Sequence, residues 1–258
     1  HIDPNVQSQQ EIDAAVKSSV HNGISLYNLN DTALTDSKPS VILTQSLCDV
    51  CAVAKDEVDT EVMCNFTPGQ CKVISLEPET LTEVVDTFVT VADICGVKER
   101  GVELHQQFWE DVKKISHATS LSTRSESKKP SVLFMEWLNP PFDAGHWICD
   151  MLDHSATKSA LPSAKNTRKS IQLTWEQIYD SDPDVIMIGC CGFDQKRNEA
   201  DARASIKKLE PLRAFKNNRI YASDGNLFFA RPGPGLREGV AILARCAYDG
   251  EVNVVKAL

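Results

Sequence analysis

Short apolar runs rich in β-branched residues alternate with longer stretches whose apolar residues recur at helical spacing, from residue 40 to residue 248. That rhythm predicts an α/β fold, because strands that pair in parallel need a crossover of a dozen or more residues between them. Residues 40–44 and 72–76 have strand composition. Leu81, Val84, Val85, Phe88, Val91 and Ala92 then fall on one helical face. Thr80 and Glu83 are spaced as a capping box before it, and Gly96 stands where that helix should end. Val102, Leu104, Phe108, Trp109, Val112 and Ile115 continue the helical period over 99–120. A helix of about 20 residues is about 30 Å long. After a polar stretch of linker composition reaching Pro130 the rhythm restarts, with strands expected at 131–135, 184–188 and 219–222. Helices are expected at 147–152, 174–179, 202–210 and 235–248, and the basic run 158–169 has the composition of a solvated loop. The expected division is an N-terminal α/β lobe over 1–97, a connecting helix and linker over 98–129, and a C-terminal α/β lobe over 130–258.

Composition narrows the function classes. Acidic residues outnumber basic ones, 36 to 27, for a formal charge of −9. A general phosphate-backbone binder carries the opposite sign, so no nucleic-acid partner is expected. The longest apolar runs, such as 185–191, are far short of the roughly 20 residues that span a bilayer, so the chain is not expected to be membrane-embedded. The 9 cysteines are too sparse for a small disulfide scaffold. His1 opens the sequence and nothing near it has the pattern of a secretory signal. A monomer is expected, with the cytoplasm favoured over a secreted or periplasmic location.

In open α/β sheets, ligands sit beyond the carboxyl ends of the strands. Four loops at such positions have unusual compositions. They contain Gln45, Cys48 and Cys51; then 136–147; then 189–194; then 224–234. Trp137, Phe142, Trp147, Phe193, Phe228 and Phe229 are expected to wall a flat, partly apolar ligand, with Glu136, His146, Asn226 and Arg231 among the polar groups around it. Cys48-x-x-Cys51 has a spacing shared by redox dithiols and zinc sites. Cys48, Cys51 and His146 are the metal candidates. Neither a Gly-rich phosphate loop nor a Gly-x-Ser-x-Gly elbow is present, and no complete catalytic constellation can be written. A ligand-binding protein is therefore expected. The alternative is a metal- or thiol-dependent enzyme or redox protein using Cys48, Cys51 and His146.

Leu47-Cys48-x-x-Cys51-Ala52-Val53, the segment running from Glu136-Trp137-Leu138 through Pro140-Pro141-Phe142 to Gly145-His146-Trp147, and the turns Cys191-Gly192-Phe193 and Arg231-Pro232-Gly233-Pro234 carry a resemblance. They resemble the cobalamin-binding-protein-like subgroup of the periplasmic binding proteins, from about Glu11 to Tyr248. The resemblance implies two lobes with parallel-rich sheets joined by one long helix. It implies a ligand held between them, a corrinoid or related tetrapyrrole or metal chelate with cobalamin foremost, and an ABC importer as partner. Gln45, Cys48, Cys51, Glu136, Trp137, Phe142, His146, Trp147, Phe193, Asn226, Phe229 and Arg231 are the ligand-binding residues it implies. Members of the subgroup carry further residues at the front, so an N-terminal lobe without the family's first strand and helix is expected.

Overall fold

The computed structural model describes residues 2–3, 6–22, 26–27, 29–45, 58–60, 62, 65–67, 69–120, 129–161 and 169–248. Contacts divide the chain into two units, His1–Pro78 and Glu79–Leu258. In the first unit, helix α1 (Gln9–His21) opens on a capping box of Ser8 and Glu11, and α2 (Asp31–Ser37) is capped by Asn30. Strands β1 (Val41–Thr44) and β2 (Lys72–Ser75) pair in parallel, Val41 opposite Lys72 and Thr44 opposite Ser75.

The second unit begins with α3 (Leu81–Ile94), whose Thr80–Glu83 capping box forms as the sequence predicts. Next comes α4 (Lys98–Ser120). The two helices pack together, with Phe88 and Phe108 meeting edge to face at a centroid distance of 5.9 Å. Residues 81–94, expected in the first lobe, thus group here with the long helix; the Leu81 amide also donates to Asp150 at 2.9 Å. The order continues β3 (Ser131–Leu138), β4 (Pro141–Asp143), α5 (Ile148–His154), β5 (Lys158–Ser159), α6 (Trp175–Ser181) and β6 (Val185–Ile188). It ends with α7 (Gln195–Ala204), α8 (Ile206–Leu209), α9 (Arg213–Lys216), β7 (Ile220–Ala222), a π-helical turn (Asn226–Ala230) and α10 (Leu236–Tyr248).

Strands β3, β6 and β7 lie side by side in parallel. Along the other edge of β3, β4 pairs antiparallel and β5 pairs parallel. All four residues of β6 are buried, as a central strand covered on both faces requires. Helix α10 packs against α4, α5 and β6. This is the α/β class with parallel-rich sheets that the apolar rhythm predicts.

Two segments depart from the sequence reading. Strand β3 runs on through Leu138 and turns back as β4, so much of 136–147 is a hairpin. The helix expected at 202–210 is instead α7, which Asp194 caps from its side chain, broken at Ser205 before α8. Helix α7 has no apolar residue larger than alanine, which leaves no apolar period to read. Among the described residues, no helix is long and apolar enough to cross a membrane.

Candidate functional site

At the end of β3, the register with β4 shifts between Met135 and Trp137, which places Glu136 in a bulge. The Glu136 carboxylate accepts the Gly145 amide at 3.1 Å and the Ser170 hydroxyl. Beside it, Asp143 accepts the Ile171 amide at 2.6 Å, while its own amide donates to the Ile171 carbonyl at 3.1 Å. Two acids thus clip the segment following residue 168 onto the hairpin. Burial raises the proton affinity of both: Glu136 goes up despite its two hydrogen bonds. Asp143 goes up to about 7 through burial first, with the Ile171 amide opposing and the Glu136 carboxylate adding.

Trp137 stands opposite Phe142 across the hairpin. Its ring lies 5.1 Å from that of Phe193, and the Arg197 guanidinium lies 4.3 Å from the Phe193 centroid. The Trp137 indole N–H is buried with no hydrogen-bond partner among the described residues. Phe142 is half-buried and bridges to Gln172. His146 takes a left-handed backbone, φ +47°, uncommon for a residue other than glycine. Its Nδ1 is also buried without a partner among the described residues. Burial holds His146 below the ordinary imidazole value, with Glu79 opposing and Lys169 reinforcing.

The loops after β6 and β7 cross at this same end of the sheet. The Cys191 amide donates to the Glu136 carbonyl at 3.3 Å and the Gly225 amide to the Phe193 carbonyl at 3.0 Å. A Cβ on Gly225 would fall 2.1 Å from the Cys190 carbonyl oxygen, so only glycine allows the crossing. Cys191 is an exposed residue, yet desolvation pushes its thiol up to about 11, with Glu136 adding and Arg231 opposing. It is a neutral thiol near pH 7, neither an activated nucleophile nor a ready metal ligand. Asn226 is half-buried at the start of the π-helical turn, and Arg231 is exposed just past it.

Three residues expected on the ligand wall are buried inside the unit. Phe229 packs on Phe134 at 4.8 Å. The Trp147 indole donates to the Phe229 carbonyl at 2.7 Å. Phe193 lies beneath Trp137. They support the loop face from below, because aromatic bulk next to a sheet end seals the core before it meets solvent. Gln45 follows β1 in the first unit and is half-buried. Cys48 and Cys51 lie outside the described residues. Among the described residues, no group of three or more His, Cys, Asp or Glu is placed to hold a metal ion. Asp143, Ser170 and Asn198 are not singled out by the sequence reading. Asp143 sits within the quoted hairpin motif and could have been suspected, whereas a single Asn in a polar helix carries no signal.

Comparison with curated proteins finds no match. Solved structures with the same fold include a possible iron-binding periplasmic solute-binding protein from Staphylococcus epidermidis, at 24% identity and a TM-score of 0.67, covering 86% of this chain and 81% of that one. The periplasmic heme-binding protein RhuT from Roseiflexus matches at 19% identity and a TM-score of 0.65, covering 86% and 80%. The periplasmic vitamin B12 binding protein BtuF of Vibrio cholerae matches at 15% identity and a TM-score of 0.62, covering 86% and 79%. The model of one family, periplasmic binding protein, matches residues 6–227, spanning both units and every strand. On that match, with the α/β architecture beneath it, the chain belongs to the periplasmic binding protein family.

Proposed function

We propose that the chain is a small-molecule-binding protein that serves an ABC importer, and that it takes a flat metal chelate of the corrinoid or haem type. The carrying observation is Trp137: a half-buried indole at the end of a central strand, backed by the buried Phe193 ring at 5.1 Å. A rigid aromatic plate of this kind gains dispersion and burial against another flat ring without ordering cost. The exposed Arg231 offers a cation to polar edges of such a ligand. Family membership supports an importer partner. The RhuT and BtuF structures, named for heme and vitamin B12, support the ligand class. Gln45, Cys48, Cys51, Glu136, Phe142, His146 and Asn226 belong to the proposal as further contacts, with Trp147, Phe193 and Phe229 as buried supports within the second unit.

Visible-absorption titrations of the purified chain with hydroxocobalamin and with hemin test this. A saturable spectral shift near one equivalent is expected with one of the two. Trp137→Ala should weaken it by about tenfold or more, since a stacked aromatic contact contributes roughly 0.5–1.5 kcal/mol beyond its burial. Silence with both chromophores, confirmed by equilibrium dialysis, would overturn the reading. Binding that survives Trp137→Ala but vanishes in Cys48→Ser/Cys51→Ser would favour metal or thiol chemistry instead.

A further inference from the structure

Asn198 is completely buried, although it sits on α7, where every other residue is exposed or half-buried. Its amide is fully engaged. The Oδ1 accepts the Cys190 amide at 3.2 Å. The Nδ2 donates to the Ser223 carbonyl at 2.8 Å and reaches the Phe193 carbonyl at 3.5 Å. Cys190 and Phe193 belong to the loop after β6, and Ser223 follows β7. One side chain therefore ties together both loops that cross at Gly225. An apolar residue of the same size would take these bonds from the buried Cys190 amide and from the Ser223 carbonyl. Phe193 is held a second way from the same helix, by the Arg197 guanidinium against its ring. Helix α7 thus fixes Phe193 by backbone and by ring, and Phe193 is the support on which the Trp137 indole rests.

We infer that Asn198 is the positioning residue of the Trp137 plate: it touches no ligand itself, and sets the angle at which the indole meets one. The inference rests on the ligand-binding reading for its purpose, while its structural half stands alone. The test separates the two. In the full chain, the near-ultraviolet dichroism of Trp137 is isolated as the difference between each background and its Trp137→Phe counterpart. Asn198→Leu is expected to change that difference spectrum and to weaken hemin or hydroxocobalamin binding by about tenfold. Val84→Ala on α3, a buried residue of a helix that packs on α4 and α5, serves as the destabilised control and should leave both readouts unchanged. Should Asn198→Leu fail to fold, Asn198→Ser carries the same comparison with a smaller expected shift. A Trp137 spectrum in the Asn198 variant that superimposes on wild type would overturn the inference, as would an equal change in Val84→Ala. If wild type binds neither chromophore, the ligand reading falls, and the Trp137 spectrum still decides the role of Asn198.

Discussion

Asp143 holds its proton up to about pH 7 because the hairpin and the segment after residue 168 enclose it, and the Glu136 carboxylate beside it disfavours a second charge. A carboxyl whose folded value lies above its ordinary 3.8 contributes stability that is complete below pH 3.8 and lost as the pH rises through 7. His146 and His154, both lowered by burial, work in the opposite direction and add stability as the pH climbs toward 6.5. The informative quantity is therefore a difference. The urea-unfolding free energy of wild type minus that of Asp143→Asn should fall by about 1 kcal/mol per pH unit between about pH 5 and 7, and level off above, since one titrating group gives at most about 1.4 kcal/mol per unit. A flat difference would mean that Asp143 ionises normally. Residues of this kind mark the boundary of what the sequence exposes. Trp137 and His146 stand out by type and motif, whereas the state of Asp143 depends on partners 28 residues away, which no local pattern encodes.

At the scale of elements, the α3–α4 pair turns on Gly101. A glycine inside a helix costs roughly 1 kcal/mol relative to alanine, so Gly101→Ala on an isolated helix would stabilise. Here the added Cβ would lie 2.5 Å from the Ala92 Cβ and 2.7 Å from the Phe88 carbonyl oxygen. The helices would have to separate, and overpacking of this kind costs typically about 1–3 kcal/mol. Gly101→Ala should therefore lower the urea midpoint, while Gly233→Ala, whose Cβ would have no atom within 4 Å, should leave it nearly unchanged. A stabilised Gly101→Ala would show that the two helices do not approach as described. Helix α3, with a cap and an apolar stripe, is legible because both signals are local, and α10 is legible by its stripe. Helix α1 carries a capping box, Ser8 with Glu11, but only Gln9 and Ile12 of it are buried, too thin a stripe to notice. The β3–β4 hairpin hides inside a segment whose prolines look like loop punctuation, although Pro141 begins an edge strand where its missing N–H costs nothing in the ladder.

For the whole molecule, the two units differ sharply in what they bury. Among the described residues, Ile12, Val58 and Pro78 are the buried apolar side chains before Glu79; the others belong to the second unit. That unit has its own sheet of five strands with helices packed on it. It also has long-range ties that do not involve the first unit. The Arg237 guanidinium on α10 pairs with the buried Asp111 on α4 at 2.9 Å, and Tyr248 donates to the Ala156 carbonyl at 2.5 Å. The α/β class was readable across both units because strand and helix periods repeat along the chain. The division at Pro78/Glu79 was not readable, because it depends on which core α3 joins. That assignment gives a decisive experiment. Residues 79–258 expressed alone should show native near-ultraviolet dichroism and a single cooperative urea transition, since among the described residues the fragment keeps nearly all the buried apolar side chains that drive folding. Residues 1–78 alone, with a two-stranded sheet among the described residues, should show neither, because so small a sheet needs further packing to persist. A 79–258 fragment lacking fixed tertiary dichroism would mean that its core is completed from the first unit, and would move the boundary toward the expected one at 97/98.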